Sequence, residues 1–133
     1  MKASVINTDY SEMWLEDGII HQVYKPNLII TIQVAKAMVQ DRLRISEGIT
    51  RPMFVDIRNL VAIDSESREY FSSDEAVYLL SAGAILLGSS LKYYIAGLAG
   101  NVFLTMDRPK IPAKLFNNKE RAIKWLHIIG HLN

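Results

Sequence analysis

The sequence predicts one α/β domain over residues 1–133, in which an N-terminal β-hairpin leads into alternating helices and strands. The expected product is a mixed, largely parallel sheet of four to five strands covered by about four helices. Three observations carry this expectation. An Asp17-Gly18 pair separates two apolar runs. Segments with helical spacing then alternate with short apolar runs. The composition is half hydrophobic, enough for a buried core, and 133 residues suit one domain better than two.

The hairpin comes first. Ser11 to Glu16 and Ile19 to Lys25 flank Asp17-Gly18. A tight turn between strands needs positive φ, and this pair supplies it at low cost. Pro26-Asn27 ends the second strand. Residues 1–10 add an edge strand around Val5 or a flexible start. Thr31 is placed to cap a helix reaching Ile45. Ile32, Ala35, Val39 and Leu43 form its apolar face, and Lys36, Gln40 and Arg44 its polar one. Ser46-Glu47-Gly48 is a stop signal.

Met53 to Ile57 reads as a buried strand. A loop from Arg58 to Ile63 leads to Asp64-Ser65, either of which can cap the next helix. That helix is expected to reach Leu80, with a break near Ser72-Ser73, where Ser72 and Glu75 have capping-box spacing. Ala84 to Leu87 is the following strand. Ser89 or Ser90 opens a helix with Leu91, Ile95, Leu98 and Val102 in one stripe. Pro109 and Pro112 mark a loop, and Ala113 to Phe116 is the last strand. Asn117 or Asn118 caps a final helix that turns Ala122, Ile123, Leu126 and Ile129 inward.

Composition narrows the function classes. Fifteen basic and fourteen acidic residues nearly cancel, so a nucleic-acid partner is not expected. Cysteine is absent, which excludes disulfides and thiolate metal sites and suits a reducing compartment. The N-terminus lacks the apolar run of a signal peptide. From Leu79 to Met106 the only charge is Lys92, but glycines and serines interrupt the stretch. The 14 uncharged residues after Lys92 fall short of the roughly 20 that a spanning helix needs. The expectation is a soluble, cytoplasmic chain with no membrane association.

Two segments carry a family resemblance. Phe54-Val55-Asp56-Ile57-Arg58-Asn59-Leu60-Val61-Ala62-Ile63-Asp64-Ser65 resembles the STAS domain, the family that includes the bacterial anti-sigma factor antagonists. Its members carry a strand ending in an Asp-containing apolar run, a short loop, and an Asp-Ser pair that opens a helix. Lys114 to Leu126 is similar to the final strand and helix of the SpoIIAA-like group of small bacterial proteins. The resemblance covers residues 20 to 130 in topology. It implies a non-enzymatic regulatory domain that docks a protein partner or a second copy of itself. It also implies that Ser65 is phosphorylated by a partner kinase, with Asp56, Asp64 and Glu66 on the switch surface. The antagonists follow Asp-Ser with small residues, a second serine and a glycine. Here Glu66 and Ser67 follow, so a kinase would meet a different surface.

Each candidate also has a plain structural reading. Ser65 or Asp64 can be no more than a helix cap. Asp56 and Asp64 can be structural carboxylates bonded to loop amides instead of a metal or acid–base pair. His127 and His131 have metal-pair spacing but lack the glutamate of the zinc-protease motif, and histidine near a helix C-terminus is favourable on its own. His21 lies in a strand with no visible partner. Arg108, Lys110, Lys114, Lys119, Arg121 and Lys124 read as a solvated surface, interrupted by Asp107 and Glu120. No triad, nucleophile elbow or phosphate-binding glycine loop is present, and no cofactor or metal is expected. The alternative function is binding of a small apolar ligand, with Tyr93, Tyr94 and Phe103 lining the pocket. The surface around Ala96, Gly97 and Gly100 would permit a homodimer.

Overall fold

The computed structural model describes residues 1–88 and 111–132, with the backbone alone at 131 and 132. Its strands are β1 (Ala3–Asn7), β2 (Ser11–Glu16), β3 (Ile19–Tyr24), β4 (Leu28–Ile30), β5 (Arg51–Asp56), β6 (Leu60–Ile63), β7 (Leu80–Leu86) and β8 (Ala113–Phe116). The helices are α1 (Ile32–Ser46), α2 (Ser65–Phe71), α3 (Asp74–Val77) and α4 (Lys119–Leu132). The main sheet has six strands in the order β1-β2-β3-β5-β7-β8, and β4 and β6 form a separate two-stranded ladder.

The expected alternation is present. β1, β2 and β3 are antiparallel, while β3, β5, β7 and β8 run parallel. The hairpin turn has Asp17 at φ 52° and Gly18 at φ 76°, the two positive values that a two-residue connection between twisted strands requires. It pairs Glu16 with Ile19, Leu15 with Ile20 and Trp14 with His21. The start of the chain is the edge strand β1. Ser4, at φ 54°, lies in an irregularity of the β1–β2 register. Such a distortion makes an edge a poorer template for further pairing.

Strand alternation divides the core between two faces. On one, Tyr24, Ile57, Ile85 and Leu87 pack with Val34, Ala35 and Met38 of α1 and with Leu28, Ile30 and Leu60 of the small ladder. On the other, Ile19, Phe54, Ala82, Ala84 and Leu86 pack against Ala122 and Leu126 of α4. The small alanines of β7 let α4 sit close over the sheet. Asn118 accepts a hydrogen bond from the Arg121 amide at 3.0 Å, a side-chain cap for the first turn of α4. Glu47 and Gly48, at φ 52° and 75°, end α1 in the left-handed region.

Several expectations are corrected. The sheet has six strands, not four to five, because β1 joins the hairpin and the three parallel strands. The segment expected as a loop from Arg58 contains β6, which pairs in parallel with β4. The helix expected to reach Leu80 stops at Val77, and Leu80 opens β7 instead. Ser73, not Ser72, caps α3, its Oγ accepting from the Ala76 amide at 3.2 Å. Thr31 occupies the cap position of α1 without a side-chain capping bond. The buried side of α1 runs through Val34, Ala35, Met38, Val39, Arg42 and Ile45, leaving Ile32 and Leu43 at its borders. Arg42 is drawn inward because its Nη2 donates to the carbonyls of Ala76 and Tyr78, both at 2.9 Å. The helix expected after Ser89-Ser90, with its Leu91, Ile95, Leu98 and Val102 stripe, lies outside the described residues.

Candidate functional site

The parallel strands β3, β5, β7 and β8 end at one edge of the sheet, where loops, not ladders, take over the backbone. In open α/β sheets this edge is where ligands and partners meet the fold. The resemblance segment, which starts at Phe54 within β5, reaches this edge at Asp56, the last residue of the strand.

Asp56 is 6% exposed and fully engaged. Its Oδ1 accepts from the Arg58 amide at 3.1 Å and from Arg58 Nε at 3.0 Å. Its Oδ2 accepts from Arg58 Nη2 at 2.7 Å. The side-chain hydrogen bonds to Asp56, and then its charge, push the Arg58 guanidinium above its ordinary value. Asp56 thus ties down the turn after β5. The Leu60 amide donates to the Ile57 carbonyl at 3.0 Å to close that turn. Asn59 then ties it to β3, its Nδ2 donating to the Tyr24 carbonyl at 2.9 Å. The Leu28 amide donates to the Asn59 carbonyl at 3.2 Å, so β4 starts from the same point.

The β4–β6 ladder leads from this turn to the Asp-Ser pair. Leu28, Ile30 and Leu60 face the core. Ile29 and Val61 face outward, 59% and 54% exposed, and Ala62 is exposed with them. The Asp64 amide donates to the Ile30 carbonyl at 3.4 Å, which fixes where α2 begins. Asp64 is the cap of α2, its Oδ1 accepting from the Ser67 amide at 2.8 Å. The Ser67 hydroxyl, outside hydrogen-bond geometry, and the Ser67 amide together draw the Asp64 carboxyl below its ordinary value. Ser65 is the first residue of α2 and is exposed. The capping bond belongs to Asp64, so the Ser65 hydroxyl is not used for it. Glu66 and Glu69 are exposed on the same short helix.

Asp56 is buried against Arg58, whereas Asp64 is a solvent-facing helix cap, and among the described residues no hydrogen bond links the two. Among the described residues no group of three or more histidine, aspartate or glutamate side chains is arranged to hold a metal. His127 is exposed, while the His131 side chain lies outside the described part. Lys114, Lys119, Arg121 and Lys124 are all exposed. Tyr93, Tyr94, Phe103, Ala96, Gly97, Gly100, Arg108 and Lys110 lie outside the described residues, and with them the expected ligand pocket and dimer surface. No described helix is long and apolar enough to cross a membrane.

Sequence reasoning passes over Arg42 and gives His21 no partner. Arg42 is buried at the junction of α1 with α3 and β7. His21 is buried between two aromatic rings. The hairpin register set by Asp17-Gly18 already places Trp14 beside His21, and that signal was available.

Residues 13–129 match the family model described as "Domain of unknown function (DUF7793)", and the chain belongs to that family. No curated protein matches. Among solved structures the chain is similar to an uncharacterised protein of the DUF3478 family with a SpoIIAA-like fold, from Shewanella loihica PV-4. The similarity covers 95% of each chain at 13% identity, with a TM-score of 0.56. At that identity the likeness establishes the fold, and the fold is SpoIIAA-like.

Proposed function

We propose that this DUF7793-family domain is a non-enzymatic protein-docking module. Its docking surface is the outward side of the β4–β6 ladder with the start of α2, and phosphorylation of Ser65 switches it. One observation carries the reading. Asp64 takes the capping role, so an exposed serine that does not cap the helix opens α2 directly after the ladder that carries exposed Ile29 and Val61. An apolar centre with a polar, modifiable rim suits a regulated protein contact.

The switch would act on the surface more than on the fold. A phosphate adds about −1.5 to −2 charges. Asp64, Glu66 and Glu69 already make this rim acidic. α2 has only seven residues, so its dipole compensates little. The modified face would therefore repel an acidic partner and strengthen attraction to a basic one. The partner is another protein or a second copy of the chain, and light scattering across a dilution series separates these.

The test is capture of partners from the native host with phosphopeptide mapping, using wild type, Ser65→Ala and Ser65→Asp. Ser65→Ala should keep the unmodified partner and resist switching. Ser65→Asp should fold normally and lose or exchange that partner. Absence of phosphate on Ser65, with identical capture by all three proteins, would remove the switch. A separate Val61→Asp variant that still captures the same partner would remove the docking surface.

A further inference from the structure

The buried histidine on the opposite face is not used by this reading. His21 is 5% exposed, and among the described residues its Nδ1 has no hydrogen-bond partner. Its ring stacks on Trp14, with centroids 5.2 Å apart and planes at 11°, and tilts against Phe54 at 5.7 Å. Cations cover both ends of this aromatic stack. Lys2 Nζ lies 3.9 Å from the Trp14 ring centroid, and Lys119 Nζ lies 5.6 Å from that of Phe54. Lys119 is the first residue of α4. The stack thus links the β2–β3 hairpin, β5 and the start of α4.

We propose that His21 is an acid-sensitive lock between the hairpin and α4, closed when the imidazole is neutral and loosened when it is protonated. In the neutral Nε2–H tautomer, Nδ1 is a bare acceptor. Protonation puts a charge on this buried ring, and the cost of burial outweighs the Glu16 carbonyl, which favours the cation. The ring must then leave the stack or draw in water.

The charges facing the ring are mixed. Glu16 on β2 and Asp17 in the turn favour the cation, whereas Lys119 on α4 opposes it, and β5 presents only Phe54. Glu16 is also engaged elsewhere, accepting from Trp14 Nε1 at 2.9 Å and lying 3.8 Å from the terminal ammonium. Burial is the largest influence and lowers the His21 pKa below its ordinary 6.5. An unfolded chain therefore takes up this proton at a higher pH than the folded one. The stability from the neutral ring is complete above the ordinary histidine range. It is lost as pH falls from there toward the folded value.

The chain has only three histidines, so an imidazole NMR titration of wild type resolves the question directly. His21 should protonate below the ordinary histidine range. Protection factors of the amides in the first turns of α4, corrected for the intrinsic pH dependence of exchange, should fall over the same interval. The melting temperature of wild type should fall by several degrees between pH 7.5 and 5.5. His21→Phe, which keeps an aromatic ring in the stack, should lose most of that fall and the exchange change. A His127→Gln, His131→Gln double variant should retain both. Protonation of His21 at or above the ordinary value would overturn the proposal, and so would α4 protection factors that stay constant across that interval. If His21→Phe does not fold, the wild-type titration and exchange still decide.

Discussion

Replacing Arg42 tests how the α3–β7 connection is held. The guanidinium is 2% exposed and donates to the Ala76 and Tyr78 carbonyls, both at 2.9 Å. α3 has four residues, too few to satisfy its own carbonyls internally. Leu79 follows at φ 64°, a strained value for leucine, and its carbonyl accepts from the Arg51 amide at 3.0 Å. Arg42 thus pairs carbonyls that would otherwise be orphaned where the chain enters β7. Burial also lowers its pKa to about 10, so holding this cation inside has its own cost. Arg42→Met keeps much of the volume and removes the charge. Two unpaired carbonyls cost roughly 1–3 kcal/mol each, less the relief of no longer burying a cation, and the net loss should be about 2 kcal/mol. Arg42→Ala adds a cavity and should cost about 4 kcal/mol. Urea denaturation followed by circular dichroism measures both through the midpoint at constant slope. Arg42→Met within about 0.5 kcal/mol of wild type would refute the reasoning, because charge burial would then cancel both hydrogen bonds.

Two further substitutions test local signals. Ser73→Ala should cost about 1 kcal/mol, because Ser73 Oγ accepts from the Ala76 amide and donates to the Tyr70 carbonyl at 2.6 Å. Ser72→Ala, which loses only an exposed bond to the Glu69 carbonyl, should stay within about 0.5 kcal/mol, and equal midpoints for the two would contradict the cap assignment. Gly18→Ala should destabilise by about 1–2 kcal/mol through backbone strain alone, since an added Cβ meets nothing within 4 Å. Gly18→Asn should recover part of that loss in a thermal melt, and an unchanged melt for Gly18→Ala would mean that the turn relaxes to another form.

The parts that were legible in the sequence are those that local chemistry decides. Asp17-Gly18 announces its turn because few other pairs accept two positive φ values. Asn118 and the Ala122–Leu126 spacing announce α4 in the same way. β4 and β6 were not legible because three- and four-residue strands have no period of their own. They exist through pairing with each other and through the Asn59 contact to Tyr24, a contact 35 residues apart. Leu80 looked helical for the same reason. Its strand is set by β5 alongside it and by Arg42 reaching the preceding carbonyls. At the candidate site, the Asp64-Ser65 pair was visible, but which of the two made the cap was not. The amide of Ser67 decides it, and only geometry shows that the longer acidic side chain reaches it.

On the proposed reading, the small ladder matters because its backbone is already paired. Loops at the ends of parallel strands usually lose conformational freedom when a partner binds, and that loss weakens association. Here the β4–β6 ladder pairs its backbone before any partner arrives. Three contacts fasten it: Asn59 to the Tyr24 carbonyl, the Leu28 amide to the Asn59 carbonyl, and the Asp64 amide to the Ile30 carbonyl. Ile29 and Val61 are therefore presented on ordered backbone while the opposite side of the ladder is buried in the core. On the proposed reading, affinity comes from that ordered apolar pair, and the charge beside it at Ser65 sets which partner is accepted. A modification at Ser65 then need not move the backbone to change partners. It changes only the potential at the rim, which governs encounter rate and discrimination more than the depth of the apolar contact.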